Sequence, residues 1–198
     1  MSAALRPGIP QPRWPAADFT QVPFSVHVDP ALFELEQQRI FRGRTWNYVG
    51  LEAEIPKPGD FRRTRIGERS VIMVRDRDGG INVVENVCAH RGAAFCRENF
   101  GNRNDFTCPY HQWTYDLDGR LLGVPLMRGV RSDGIVQGGM PADFRREDHG
   151  LTRLAVARRN GVVCASFDAD VEPFEQYLGP DVLRYFDRVF DGRALTIL

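Results

Sequence analysis

Two short motifs constrain this chain more than anything else in it. Cys88-Ala89-His90 is followed, after 17 intervening residues, by Cys108-Pro109-Tyr110-His111. Thiolate and imidazole are the donors that soft and borderline metals select. Their arrangement then discriminates among metals. A single tetrahedral zinc is usually held by like ligands in pairs, Cys with Cys and His with His. Here each segment supplies one Cys and one His. That split fits two irons, one taking both thiolates and the other both imidazoles, so that each loop straddles the pair. Zinc stays as the alternative, in a zinc-stabilised binding module, and an absorption spectrum separates the two because zinc is colourless. Any one of the four residues alone is more often a plain core or surface residue than a ligand. The four together, at both spacings, are not explained that way.

The flanks suit a centre held between loop tips. Gly92, after Arg91, lets the backbone approach closely, and nearby amides can donate to sulfur. Pro109 stiffens the second loop, and Trp113 and Tyr115 alternate on the strand that follows and can shield the site. Arg91 either pairs with a carboxylate on a partner, steadies the loop, or is simply solvated. Other candidates are weaker. His27 and His149 have no second ligand at a useful spacing and read as ordinary surface or loop residues. Cys96 and Cys164 read as buried small hydrophobes. The run Arg62-Arg63-Thr64-Arg65 reads as a solvated stretch of strand.

Around the motifs the chain is mainly β. Short segments at 46–49, 61–66, 70–75, 81–86, 105–107, 114–116 and 161–166 are mostly β-branched and aromatic, with turn clusters between them. These include Pro56-Lys57-Pro58-Gly59-Asp60, Asp78-Gly79-Gly80 and the hairpin signal Asp118-Gly119. Residues 125–150 read as loop. Prolines at 7, 10, 12, 15 and 23 predict an extended arm over 1–24, with Trp14 and Phe19 available to lie on another surface. Asp29 as cap and Pro30 at the first helical position start a helix within 25–44. A second helical pattern begins at Val171, with Phe174, Leu178, Leu183, Phe186 and Phe190 as apolar positions.

Composition bounds the class. With 26 Lys plus Arg against 26 Asp plus Glu in 198 residues, there is no charge imbalance to favour nucleic acid or an anionic membrane as partner. The apolar runs at 71–74 and 161–165 are far too short to span a bilayer. The N-terminus has no basic-then-apolar block, so the expectation is a cytoplasmic protein with reduced thiols.

Cys88-Ala89-His90-Arg91-Gly92 and Cys108-Pro109-Tyr110-His111-Gln112-Trp113 resemble the Rieske signature of the large (α) subunits of aromatic-ring-hydroxylating oxygenases. The resemblance extends through Trp46-Asn47-Tyr48-Val49, Tyr115-Asp116-Leu117-Asp118-Gly119 and Glu147-Asp148-His149-Gly150-Leu151, and covers about residues 22–190. It is strongest to the members acting on aromatic carboxylates, salicylate 5-hydroxylase first, with anthranilate and terephthalate dioxygenases behind. Gln112 departs from the glycine common there. The resemblance implies an antiparallel β-sandwich with a small cluster-binding subdomain over 45–170. It also implies a [2Fe–2S] cluster on Cys88, His90, Cys108 and His111, electrons from a reductase and possibly a ferredoxin, a small β subunit, and a homotrimer of large subunits. It further implies a mononuclear Fe(II) held by two histidines and a carboxylate in a following catalytic domain. No His-x₃₋₄-His pair occurs among His27, His90, His111 and His149, so 171–198 reads as the helical start of that absent domain. The chain alone is then expected not to hydroxylate. A free-standing Rieske ferredoxin is the runner-up. High-potential Rieske proteins resemble one another in a serine and a tyrosine two and four residues after the second ligand His. Here those positions are Trp113 and Tyr115, which implies a potential in the lower half of the Rieske range.

Overall fold

The computed structural model describes Trp14, residues 20–132 and residues 134–197. Most of the arm expected over 1–24, including Phe19, lies outside the described residues, and Trp14 is exposed. The sheet that organises the molecule has four antiparallel strands in the order β4–β3–β2–β5: β2 (Asp60–Ile66), β3 (Arg69–Arg75), β4 (Ile81–Glu85) and β5 (Phe100–Asn102). Its centre is β3, where Val71, Ile72, Met73 and Val74 are all fully buried. A strand buried on both faces must be apolar without alternation. Each such side chain contributes about 1.5–3 kcal/mol by leaving water.

The alternation of the strand divides those residues between two cores. Val71 and Met73 pack with Val83, Val49, Ile55, Val163 and Ala165. On that side lies a three-stranded sheet, β1 (Asn47–Leu51), β12 (Val162–Ser166) and β11 (Ala155–Arg159), in the order β1–β12–β11. Ile72, Val74, Val84 and Phe61 face the other way and pack with Cys88, Cys108, Trp113, Tyr115 and Leu121. On that side lies a second three-stranded sheet, β6 (Phe106–Thr107), β7 (Thr114–Tyr115) and β8 (Leu121–Gly123). This is the mainly β, antiparallel sandwich with a small cluster-binding subdomain, and helices flank it. The free edge of β4 is covered by 152–154, through Glu85 N–H to Thr152 O (2.9 Å) and Leu154 N–H to Val83 O (2.9 Å).

The helices form where capping and packing allow. Short α1 (Ser25–Val28) precedes α2 (Pro30–Glu36), and the Asp29 carboxylate accepts from the N–H of Ala31 (2.8 Å) and Leu32 (3.1 Å). A π-helical turn at Gln37–Phe41 continues α2 and buries Gln37, whose Oε1 accepts from Glu68 N–H at 2.9 Å. At the other end α3 (Phe174–Val189) is kinked at Gly179 and Pro180. It packs Phe174, Leu178 and Phe186 against Val162 and Cys164, the outer side of the β1–β12–β11 sheet. Arg159 holds it by a bidentate pair to Asp187 (2.8 and 2.6 Å).

The structure departs from the sequence pattern in two places. Residues 125–150 are not all loop: β9 (Val130–Ser132) pairs with β10 (Ile135–Gln137), and a 3₁₀ turn spans Arg146–His149. Three-residue strands with every residue exposed carry no alternating pattern to read. The basic run on β2 is also not merely solvated. Arg62 pairs with Glu54, and Arg63 donates to Glu98 O (3.2 Å) and Asn99 Oδ1 (2.7 Å), which fastens the end of the first motif's loop to the sheet.

Candidate metal centre

The two motifs sit in loops of the same construction. Cys88 lies just past β4, and its N–H donates to Ala93 O (2.8 Å) while its C=O accepts from Gly92 N–H (2.9 Å). Cys108 lies between β6 and β7, and its N–H donates to Trp113 O (2.9 Å) while its C=O accepts from Gln112 N–H (2.8 Å). In each loop the residue four after the cysteine has a left-handed backbone: Gly92 at φ +73° and Gln112 at φ +57°. A Cβ added at Gly92 would meet nothing within 4 Å. The requirement there is backbone conformation, not the close approach expected from the sequence.

These frames bring all four motif residues to one end of the molecule. Cys88 and Cys108 are buried at 3 % and 1 % exposure, close enough for their thiols to interact. The rings of His90 and His111 meet edge-to-face with centroids 4.6 Å apart. Burial raises the Cys108 thiol above its ordinary value, while the N–H groups of Tyr110 and His111 directed at the sulfur act the opposite way. Cys88 Sγ lies 3.2 Å from the Tyr115 hydroxyl, which accepts the Ala89 N–H at 3.1 Å and is therefore free to donate to sulfur. Tyr115 is fully buried, and burial, followed by the Cys88 sulfur, pushes its hydroxyl well above the usual tyrosine range. His90 is held below its ordinary value by desolvation and by the neighbouring His111 and Arg91.

One atom tests whether these residues fit a two-iron cluster. His90 Nδ1 is buried and has no hydrogen-bond partner. Such an atom costs free energy unless something binds it, and a neutral imidazole nitrogen is a metal donor. Among the described residues no three His, Cys, Asp or Glu side chains converge on a point for a single ion. The donors come as a thiol pair and an imidazole pair, which is what a two-iron cluster takes. The residues fit the group.

Other residues complete the setting. Arg91 lies on the surface with its guanidinium 5.9 Å from the centre of the exposed Tyr110 ring, which bridges the two loops. Trp113 is buried and stacks on His90, centroids 4.7 Å apart and planes 10° from parallel. Asn86, which the sequence reading did not single out, is buried at 1 % exposure inside the first loop. Its Oδ1 accepts from the N–H of Phe95 (3.1 Å) and Cys96 (2.9 Å), and its Nδ2 donates to Cys96 O (2.8 Å). A buried-network asparagine just before a loop has no motif to announce it. His149, an ordinary surface or loop residue by its sequence, packs on Trp113 and Phe144. His27 remains remote in α1. Cys96 and Cys164 are buried, and burial raises both thiols, Cys164 to about 11.

This geometry agrees with comparisons to known proteins. Residues 45–133 match the family model described as the Rieske [2Fe-2S] domain. The chain is similar to the corresponding part of large subunits of ring-hydroxylating oxygenases. It is similar to the salicylate 5-hydroxylase large oxygenase component of a Ralstonia species, with 64 % identity over 98 % of this chain and 46 % of that protein. The anthranilate 1,2-dioxygenase large subunit of Burkholderia cepacia is 46 % identical over 89 % of this chain and 41 % of its own length. The crystal structure of naphthalene 1,2-dioxygenase from a Rhodococcus species bound to indole superposes with a TM-score of 0.73 at 35 % identity, covering 86 % of this chain and 36 % of that one. The chain thus spans less than half the length of the curated relatives it matches. Those relatives are by name one component or one subunit of a larger system. No helix among the described residues is long and apolar enough to cross a membrane.

Proposed function

We propose that this chain is the electron-transfer unit of an aromatic-ring-hydroxylating oxygenase, with Cys88 and Cys108 on one iron of its [2Fe–2S] cluster and His90 and His111 on the other. The observation that carries the assignment is the buried, unpartnered His90 Nδ1 beside His111 and the paired thiols. Such a cluster, when bound, takes up and gives back one electron. The chain's own residues set the conditions for that. Amides of the second loop and the Tyr115 hydroxyl are aimed at the cysteine sulfurs, and Trp113 excludes water from one face of His90. Arg91, Gly92, Trp113 and Tyr115 are the supporting residues, and the unit spans 45–170, flanked by the helical segment 25–44.

The electron source is a reductase, directly or through a ferredoxin. The acceptor is a mononuclear iron outside these 198 residues, to which 171–198 leads, and its substrate is an aromatic carboxylate such as salicylate. The assembly is a trimer of large subunits with small β subunits, in the cytoplasm, without nucleic acid or membrane. The similarity to the Ralstonia protein supports this reading. The chain reconstituted anaerobically with iron and sulfide is expected to be red-brown, with two irons per chain, and to cycle with a reductase without hydroxylating salicylate. One zinc without sulfide overturns the cluster assignment, and hydroxylated product from this chain overturns the placing of the second iron.

A further inference from the structure

His149 lies 38 residues from His111 in the sequence, yet its ring reaches the second layer of the metal centre. Trp113 has two occupied sides. One face stacks on His90. Against the rest of the indole stand Phe144 (centroids 5.8 Å, planes at 76°) and His149 (5.8 Å, 71°), which themselves pack 4.5 Å apart. Both rings come from one segment that is fastened independently of the motif loops. His149 Nδ1 is 2.8 Å from Arg145 O, Arg146 Nη1 donates to Leu122 O (2.6 Å), and Leu151 N–H donates to Gly119 O (2.7 Å). The column His90, Trp113, then His149 with Phe144 is therefore closed at its outer end by a wall tied to β8 and its turn.

We propose that His149, with Phe144, is a positioning residue of the Rieske centre. It holds the Trp113 indole flat against His90 and so fixes the orientation of that imidazole, which would hold iron. Groups outside the ligand set commonly orient metal-bound imidazoles, and ligand orientation governs overlap with the metal. Both Phe and His suit the wall as flat rings, so the ring and not the charge carries the role. The inference rests on His90 being a ligand.

The test is the EPR spectrum of the reduced, reconstituted chain for wild type, H149A and H149F, read beside iron and sulfide content and redox midpoint. H149A is expected to keep its irons but shift the g-values and the midpoint, and H149F to return both towards wild type. A fully loaded H149A with the wild-type spectrum and midpoint overturns the proposal, as does an H149F displaced as far as H149A. If H149A does not fold, F144L, which slackens the same wall from its other ring, is read by the same criteria. Val182→Ala on the distant helix α3 is the control and should move neither readout. A wild type without iron or sulfide defeats the cluster assignment itself, which is a different result from a loaded wild type indifferent to His149.

Discussion

The two motif loops share a backbone frame but stabilise it by different means. The first runs from β4 to β5 and is long, so it borrows support. Asn86 ties its inside, Arg63 of β2 holds its far end, and the Tyr115 hydroxyl from β7 reaches the Cys88 sulfur. The second is a tight turn between adjacent strands. It directs its own amides at Cys108 and tolerates Gln112, a non-glycine residue, in the left-handed region. A short hairpin is held by its own strands and can carry local strain. A long loop cannot, and it uses glycine at the equivalent turn and side chains elsewhere.

The largest expected effect treats the loops as equals. Cys88→Ala and Cys108→Ala should each lose both irons, measured as iron and acid-labile sulfide per chain, because a cluster bridging two loops needs both. Retention of the cluster by either variant would mean that loop is not a ligand loop. Asn86→Ala comes next and should separate them. It strands the buried N–H groups of Phe95 and Cys96 and the Cys96 carbonyl, for a loss of about 3 kcal/mol in urea unfolding of the metal-free chain. Among the described residues the second loop has no buried side chain of this kind; its nearest equivalent is the Thr114 hydroxyl, which donates to Gln112 O at 3.3 Å in an exposed hydrogen bond. A loss below about 1 kcal/mol would show that the first loop is held chiefly by its packing.

Tyr115→Phe removes a donor from the Cys88 sulfur only. Donors to sulfur stabilise the more negative reduced cluster, so the midpoint should fall by roughly 40 mV, the one-electron equivalent of about 1 kcal/mol. The parent midpoint is expected in the lower half of the range from about −150 to +300 mV, since Trp113 supplies no hydroxyl. A voltammetric midpoint that rises in the variant would overturn the donor argument. The left-handed positions should then respond with opposite signs. Gly92→Ala should cost about 1 kcal/mol, and Gln112→Gly should gain somewhat less, because glycine also loses more chain entropy on folding.

The smallest effect lies in the opposite layer. Burial pushes the Glu52 carboxyl up, but its bonds to Arg158 (3.0 and 2.6 Å) and to Arg75 (3.3 Å) outweigh this and leave it lowered. A carboxyl lowered in the folded state adds stability above its unfolded value, and that stability is lost as pH falls through the folded value. Glu52→Gln should therefore be less stable than wild type at pH 7, by under about 1 kcal/mol, with the gap closing below about pH 4. A gap that persists in acid would assign the effect to packing.

Much of the candidate site was legible because its signals are local. Cys and His at fixed spacings, the Asp29-Pro30 helix start and the unbroken apolar run of β3 are each written within a few residues. The rest was not legible, for physical reasons. β5, β9 and β10 are three residues long and β5 is fully exposed, so no period could appear. Arg63 looks like any charged residue on a strand until Asn99 is beside it. Asn86 and His149 have roles defined only by what they touch, and His149 in isolation reads as solvent-facing.

The sequence by itself determined which Cys and His residues are on offer, their pairing as one Cys and one His in each motif, and the β character of the scaffold, since these depend on residue type and short-range backbone preference. Only the tertiary structure decided that the loops after β4 and β6 converge, that Trp113 lies on His90 and not on His111, and that 141–151 closes the far side. Those contacts join segments tens of residues apart. They exist only once Ile72 and Val74 of β3 have given both loops a common face to pack on.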